Sequence, residues 1–219
     1  MRPIVVIFIF STLLLFSCNN QKTTQENEAL KEQIKSLRGT IQLTKEMNKN
    51  IRFLKKSLEG VKARIVTNYG NIELKFFNND APITCFNFIT RAESGFYNGT
   101  LFHRIIPGFM IQGGDPNTKT KNKASYGMGG PLLNIPHEFN KHSHKRGILS
   151  MARVGDINQG AGCQFFIMHK DAPQLDNQYT VFGEVTSGMD VVDKIAAVKR
   201  DSRDLPLNPV QIKIIEVFK

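Results

Sequence analysis

Phe102-His103-Arg104-Ile105-Ile106-Pro107-Gly108-Phe109-Met110-Ile111-Gln112-Gly113-Gly114-Asp115 sets two short apolar runs either side of a Pro-Gly turn and closes them with a glycine pair. One arginine stands among aromatic and sulfur-bearing neighbours, with a glutamine on the next run. Apolar runs this short, bounded by glycine and proline, read as strands of a sheet. Gly162-Cys163-Gln164-Phe165-Phe166-Ile167 repeats the combination of an amide with aromatics on a strand-like run. Upstream, residues 63–67 and 72–76 flank Asn68-Tyr69-Gly70-Asn71, a hairpin signal. Further strand-like runs fall at residues 101–106, 110–113, 148–152, 165–169, 181–185 and 210–218. Two helical patterns interrupt them. The first opens at Ala81-Pro82, with Pro82 near its first turn, and Phe86, Ile89 and Phe96 are expected along its buried face. Gly95 ends it. The second covers residues 188–197. Many short strands with glycine turns and two helices predict an all-β sandwich or closed barrel.

A chain of 219 residues holds one ordinary domain and an appendage. Lys and Arg number 29 against 19 Asp and Glu, a net charge of +10. That excess suits nucleic acid or an acidic membrane surface. No basic run is interleaved with aromatics as a nucleic-acid platform requires, so the charge reads as solubility and nucleic acid is not an expected partner. Three cysteines do not make a disulfide framework. Cys85 lies in a helical pattern and Cys163 in a strand pattern, and each reads as a small buried hydrophobe. A Cys85–Cys163 bridge is the alternative in an oxidising compartment. His142-Ser143-His144 with Glu138 nearby resembles a ligand cluster most, and His103, His137 and His169 add imidazoles elsewhere. Zinc needs three or four converging ligands, and these residues fall in a loop-like region and on separate strands, so no metal is expected. Gly127, Gly129 and Gly130 lack the strand-then-helix context of a nucleotide motif.

The front end reads as an address and a stalk. Arg2 precedes an apolar run from Pro3 to Phe16, shorter than the ~20 residues that span a bilayer but fitting the apolar part of a secretory signal. Leu15-Phe16-Ser17-Cys18 resembles a bacterial lipobox, in which the cysteine is lipidated and becomes the mature N-terminus; Phe16 departs from the small or branched residue usual there. The resemblance implies a signal peptide over residues 1–17, lipidation at Cys18 and a membrane partner through the lipid anchor. An uncleaved anchor and an ordinary signal peptide are the alternatives. Asn19 rather than Asp follows the cysteine, which implies an exported protein on the outer membrane, facing the periplasm.

Residues 18–60 form the expected stalk. Leu30, Ile34, Leu37, Ile41, Thr44, Asn48, Ile51 and Leu58 follow steps of three and four, a helical stripe. Glu26, Glu28 and Glu32 near its start and Lys55 and Lys56 near its end match the helix dipole. Gly39-Thr40 weakens the middle. A helix of about 30 residues reaches roughly 45 Å, enough for a spacer. Self-association as a coiled coil, and a single amphipathic helix lying on its own domain or on lipid, both remain open.

From about residue 61 to 219 the chain closely resembles the cyclophilin family of peptidyl-prolyl cis/trans isomerases, on the strength of the two quoted motifs. The resemblance implies an eight-stranded antiparallel barrel, closed at its ends by two helices and filled by side chains, with the active surface outside. It implies action on proline-containing polypeptides, assistance to their folding, and no cofactor. An X–Pro amide rotates over a barrier of ~18–20 kcal/mol in tens to hundreds of seconds. Reaching about 10 per second takes ~100- to 1000-fold, or about 3–4 kcal/mol, with no nucleophile or metal. A donor aimed at the prolyl nitrogen, whose lone pair is free only in the twisted amide, stabilises the transition state selectively. One charged hydrogen bond supplies about 1.5–3 kcal/mol of that.

Arg104 aligns with the family's catalytic arginine, permanently charged and able to present a fixed fork of donors. Gln112 would hold the guanidinium or contact the substrate carbonyl. Phe109, Met110, Phe166 and Leu175 match the apolar pocket for the proline ring. Ala152 and Arg153 stand where the family grips the peptide backbone, Gln164 where it contacts the substrate chain, and Tyr179 where many members carry His. Two departures bear on ligands. Gln174 replaces a Trp associated with cyclosporin binding, and Arg153 replaces Asn. The competing reading is a domain of this kind that binds proline-containing segments or acts as a chaperone without turnover.

Overall fold

The computed structural model describes residues 4–131 and 133–219, with side chains from residue 27 onward except at residue 29. Residues 1–3 of the expected signal peptide, the side chains of its other residues and that of Cys18 lie outside what is described. Among the described residues no helix is long and apolar enough to cross a membrane.

The chain divides into two compact units, Met1–Asn50 and Ile51–Lys219. Helix α1 (Ile4–Ser57) runs without a break through Gly39, so the weak point expected there does not interrupt it. Residues 27, 28 and 30–50 of the first unit are all exposed. Lys31–Glu28, Lys35–Glu32 and Lys49–Glu46 bridge successive turns, each such pair adding a few tenths of a kcal/mol.

The second unit is one eight-stranded antiparallel sheet with two helices. Its elements are β1 (Lys62–Thr67), β2 (Gly70–Phe76), α2 (Pro82–Glu93), β3 (Arg104–Ile106), β4 (Met110–Gly113), β5 (Ile148–Arg153), β6 (Ala161–Met168), β7 (Val181–Ser187), α3 (Met189–Ala196) and β8 (Ile212–Phe218). The ladder order is β3-β4-β6-β5-β7-β2-β1-β8. The expected closed barrel is therefore not what forms: β3 and β8 end the ladder, and the sheet is an open half-barrel. The chain just before β3 meets β8 and its approach through one bridge, Leu101↔Gln211, and through backbone bonds from the Gly99 N–H to the Ile212 carbonyl, the Ile212 N–H to the Thr100 carbonyl and the Phe102 N–H to the Val210 carbonyl, at 2.8, 2.8 and 2.9 Å. The run expected as a strand from residue 101 pairs as ladder only from Arg104, which leaves too few paired residues to close the seam.

Period-two alternation sorts each strand into two faces. Ile105, Ile111, Phe165 and Ile167 point into the main core, where Phe88 of α2 meets Tyr97, Phe165 and Phe182 with ring centroids 5.2, 5.3 and 5.3 Å away. The buried Tyr97 hydroxyl donates to the Cys163 carbonyl at 3.0 Å. On α2 the buried face is Pro82, Cys85, Phe88, Ile89 and Ala92, with Thr84 beside it, and Phe86 is exposed. Phe88 rather than Phe86 takes the inward place because steps of three and four from Pro82 pass through residues 85, 88, 89 and 92. The helix N-terminus is capped from a distant loop: Glu138 accepts from the Ile83 and Thr84 N–H groups and from the Thr84 hydroxyl. Cys85 and Cys163 are free and buried. Burial pushes both thiols up, Cys163 to about 11.

Candidate active site

Register across the sheet builds the site. Arg104 on β3 stands opposite Gln112 on β4, Gln112 opposite Phe166 on β6, and Phe166 opposite Ser150 on β5. Directly paired residues share a face, so this row looks away from the main core. Two residues along, Ile106, Met110 and Met168 form a parallel row on the same face. Met110, Ile148, Phe166, Met168, Ala172 and Val181 make a second, smaller apolar cluster there, with Phe109, Ala152, Leu175 and Tyr179 packed on it.

Above the cluster opens a cavity of about 330 Å³ lined by Arg104, Phe109, Met110, Gln112, Ala152, Arg153, Phe166, Leu175 and Tyr179, among others. All the residues expected to act on or hold substrate meet here except Gln164, which lines an adjoining hollow with Gln112, Ala152 and Arg153. Cys18 lies outside the described side chains. The floor is buried (Met110, Phe166) while Arg104 at the wall is exposed. The cavity also takes in His103, Tyr126 and Arg203, which sequence reasoning did not place there. Tyr126 and Arg203 come from loops far apart in the chain, and no local pattern signals their approach.

Each wall has a visible support. The Pro107-Gly108 turn is pinned by the Gly108 N–H donating to His169 Nδ1 at 2.9 Å, which leaves the proton on Nε2, 3.2 Å from Asp193 Oδ1. His169 also returns its own N–H to the Phe109 carbonyl. Gln112 does not hold the Arg104 guanidinium as expected. Its amide donates to Gln164 Oε1 at 2.9 Å, and Gln164 in turn donates to the carbonyls of Gly127 and Gly129. Arg153 lays its guanidinium 4.7 Å from the Tyr179 ring centre and donates to the carbonyls of Gln178, Val154 and Gly155. The β5–β6 register shifts between Met151 and Arg153, so Ala152 drops out of regular pairing beside the cavity.

Beneath the floor is a group that the sequence did not flag as one. His144, buried, stacks on Phe166 with ring centres 6.0 Å apart. Its Nδ1 lies 2.8 Å from Asp176 Oδ1 and its Nε2 3.1 Å from Ser150 Oγ. Burial pushes the imidazole down against the opposing pull of Asp176. Burial also lowers His103, whose ring nitrogens have no hydrogen-bond partner. His142 goes elsewhere, stacking on Phe77 and reaching Asp80 at 2.9 Å. Among the described residues no group of three His, Cys, Asp or Glu side chains converges.

The arrangement is thus an apolar notch for a small ring with one exposed guanidinium on its wall. The family profile described as "Cyclophilin type peptidyl-prolyl cis-trans isomerase/CLD" matches residues 62–217. The chain belongs to the cyclophilin-type isomerases. Among similar cyclophilins, the peptidyl-prolyl cis-trans isomerase of Acinetobacter baylyi is 41% identical over 74% of this chain and 87% of its own length. That of Helicobacter pylori is 47% identical over 61% of this chain and 78% of its own length. The isomerase-like 2 protein of Rhizopus delemar is 44% identical over 71% of this chain, but the chain spans 28% of that larger protein. A crystal structure of a Cryptosporidium parvum cyclophilin-type isomerase in the presence of the dipeptide Ala-Pro superposes with a TM-score of 0.65 at 33% identity, covering 72% of this chain and 99% of that one.

Proposed function

We propose that this cyclophilin catalyses cis/trans isomerisation of X–Pro bonds in exported polypeptides, assisting their folding, with Arg104 stabilising the twisted amide. The observation that carries this reading is the exposed Arg104 guanidinium on the wall of a notch floored by Phe166 and Met110. A proline ring seated on that floor turns its nitrogen toward the wall, where a charged donor gains strength as the lone pair localises. Exclusion of water by Phe109, Leu175 and Tyr179 raises the worth of that hydrogen bond. Ala152, out of ladder pairing, offers backbone groups to an extended peptide. Gln112 and Gln164 act as a linked pair that steadies the wall and contacts the chain. No step calls for a cofactor.

The lipobox-like sequence before Cys18 supports export and lipid anchoring, with the domain held in the periplasm from the outer membrane and residues 18–60 serving as its stalk. The stripe along that stalk supports self-association. A protease-coupled assay on an alanyl-prolyl peptide tests the central claim. The wild-type chain should exceed the spontaneous rate, and Arg104→Ala should fall by ~10- to 100-fold, the loss of one charged hydrogen bond, with its far-UV spectrum unchanged. A wild-type rate equal to the spontaneous one points instead to a module that binds proline segments without turnover. Mass spectrometry of the mature N-terminus tests the anchor, since an unmodified Cys18 excludes it.

A further inference from the structure

We infer that the stalk pairs with a second copy of this chain as a parallel, in-register, two-stranded coiled coil. The inference rests on the proposed self-association and specifies its geometry and stoichiometry. Between residues 27 and 50 the helix is exposed on every side, and Leu30, Ile34, Leu37 and Ile41 are each 42–61% exposed. A row of four large aliphatic side chains on one face is costly to leave in water.

The row has the heptad period. Ile34, Ile41 and Asn48 recur seven residues apart, and Leu30, Leu37 and Thr44 recur seven apart between them. The first set is three residues before the second, which makes Ile the a residue and Leu the d residue. Isoleucine at a with leucine at d favours two strands, and an asparagine at a fixes register. Thr44 fits such a seam because its hydroxyl already donates to the Thr40 carbonyl at 2.8 Å, leaving its methyl for the partner.

Charge selects the direction. The residues just after each d place are Lys31, Arg38 and Lys45; those just before each a place are Gln33, Thr40 and Met47. An antiparallel pair sets the first row against its own copy, so cation faces cation along the whole seam. A parallel pair sets it beside the uncharged row. Membrane anchoring of both chains would hold them in the same orientation and raise their effective concentration.

Cysteines added one at a time along the stalk of the full, membrane-anchored chain, whose Cys85 and Cys163 are buried, read the geometry directly. Leu30→Cys, Leu37→Cys and Thr44→Cys should each give a covalent dimer on mild copper-phenanthroline oxidation. Glu32→Cys and Lys35→Cys, on the outer faces, should give at least tenfold less. Native mass spectrometry should find two chains per particle. Cross-linking at a single seam position means an antiparallel pair and overturns the inference. So do equal yields at outer positions, a three-chain mass, or no cross-link anywhere, the outcome expected of a helix lying on lipid. Isomerase activity measured on the same samples separates the two readings: activity without cross-links sinks the pairing alone, and cross-links without activity sink the isomerase reading alone.

Discussion

Arg104 and Gln112 are cross-strand partners that share no hydrogen bond; Gln112 is committed to Gln164 instead. The two glutamines therefore form a relay from the cavity wall to the loop carbonyls of Gly127 and Gly129. Gln112→Ala leaves Gln164 Oε1 without its donor and removes a side chain from the cavity wall. A hydrogen bond of this kind is worth about 0.5–1.5 kcal/mol, so kcat/KM should fall by about 3- to 10-fold with the melting temperature nearly unchanged. Steady-state kinetics beside thermal melts checks this. A loss as large as that of Arg104→Ala would make Gln112 a direct participant and not a support. The identities of these residues were legible in the sequence because a long ordered motif carries them. Their hydrogen bonds were not, since which amide faces which depends on register two strands away.

The β5–β6 segment shows the same division at the scale of an element. Strands and turns were readable from apolar runs and glycines, and β6 begins at Ala161, one residue before the Gly162–Ile167 run read as strand-like. Gly160 and Gly162 look like breakers, and what they do is make room: Gly160 for the Ile135 backbone, Gly162 for the Pro131 and Asn134 side chains. Gly160 has φ +70°, and a Cβ there would lie 2.2 Å from the Ile135 carbonyl oxygen, beside the Ile135↔Ala161 bridge. Gly160→Ala should therefore cost stability through strain and through loss of that bridge, by about 1–3 kcal/mol; a melt within 1 °C of wild type would refute the fit. Arg153 acts on the same element from outside. It clamps Tyr179 by a cation–π contact of 4.7 Å and ties three loop carbonyls. Arg153→Ala should loosen the substrate wall, raising KM by several-fold with kcat little changed. A fall in kcat at constant KM would assign Arg153 to the chemistry. What the Arg153 guanidinium holds is a matter of three-dimensional neighbours, which no reading of the sequence alone could supply.

For the whole molecule, the antiparallel all-β architecture with two helices follows from patterning, and the failure to close at β3 and β8 does not, because closure depends on how many residues near Leu101 and Gln211 achieve ladder geometry. The separation into a helical unit and a sheet unit has a thermodynamic consequence. All five histidines lie in the sheet unit, and His103 and His144 are buried there with protonation pushed below the ordinary 6.5. Above that value both folded and unfolded chains carry them neutral, and stability is full. As pH falls through 6.5 the unfolded chain takes up protons that the folded chain refuses, so unfolding gains free energy until the depressed folded values are reached. Asp176 and Asp201 extend the loss at lower pH: against burial, the bonds from Ser143 and His144 hold the first below the ordinary carboxylate value, and the Arg203 and Leu205 N–H groups hold the second. The midpoint of the aromatic near-UV melt should accordingly be flat above pH 7 and decline from about 6.5 downward. His144→Gln should make that decline shallower, because one of the refusing imidazoles is gone. The far-UV signal of the helix over residues 27–50, which carries no histidine, should not follow the decline. A near-UV midpoint that stays constant to pH 5 would mean that these imidazoles protonate in the folded protein without penalty, and that neither the floor stack on Phe166 nor the cavity wall at His103 depends on a neutral ring.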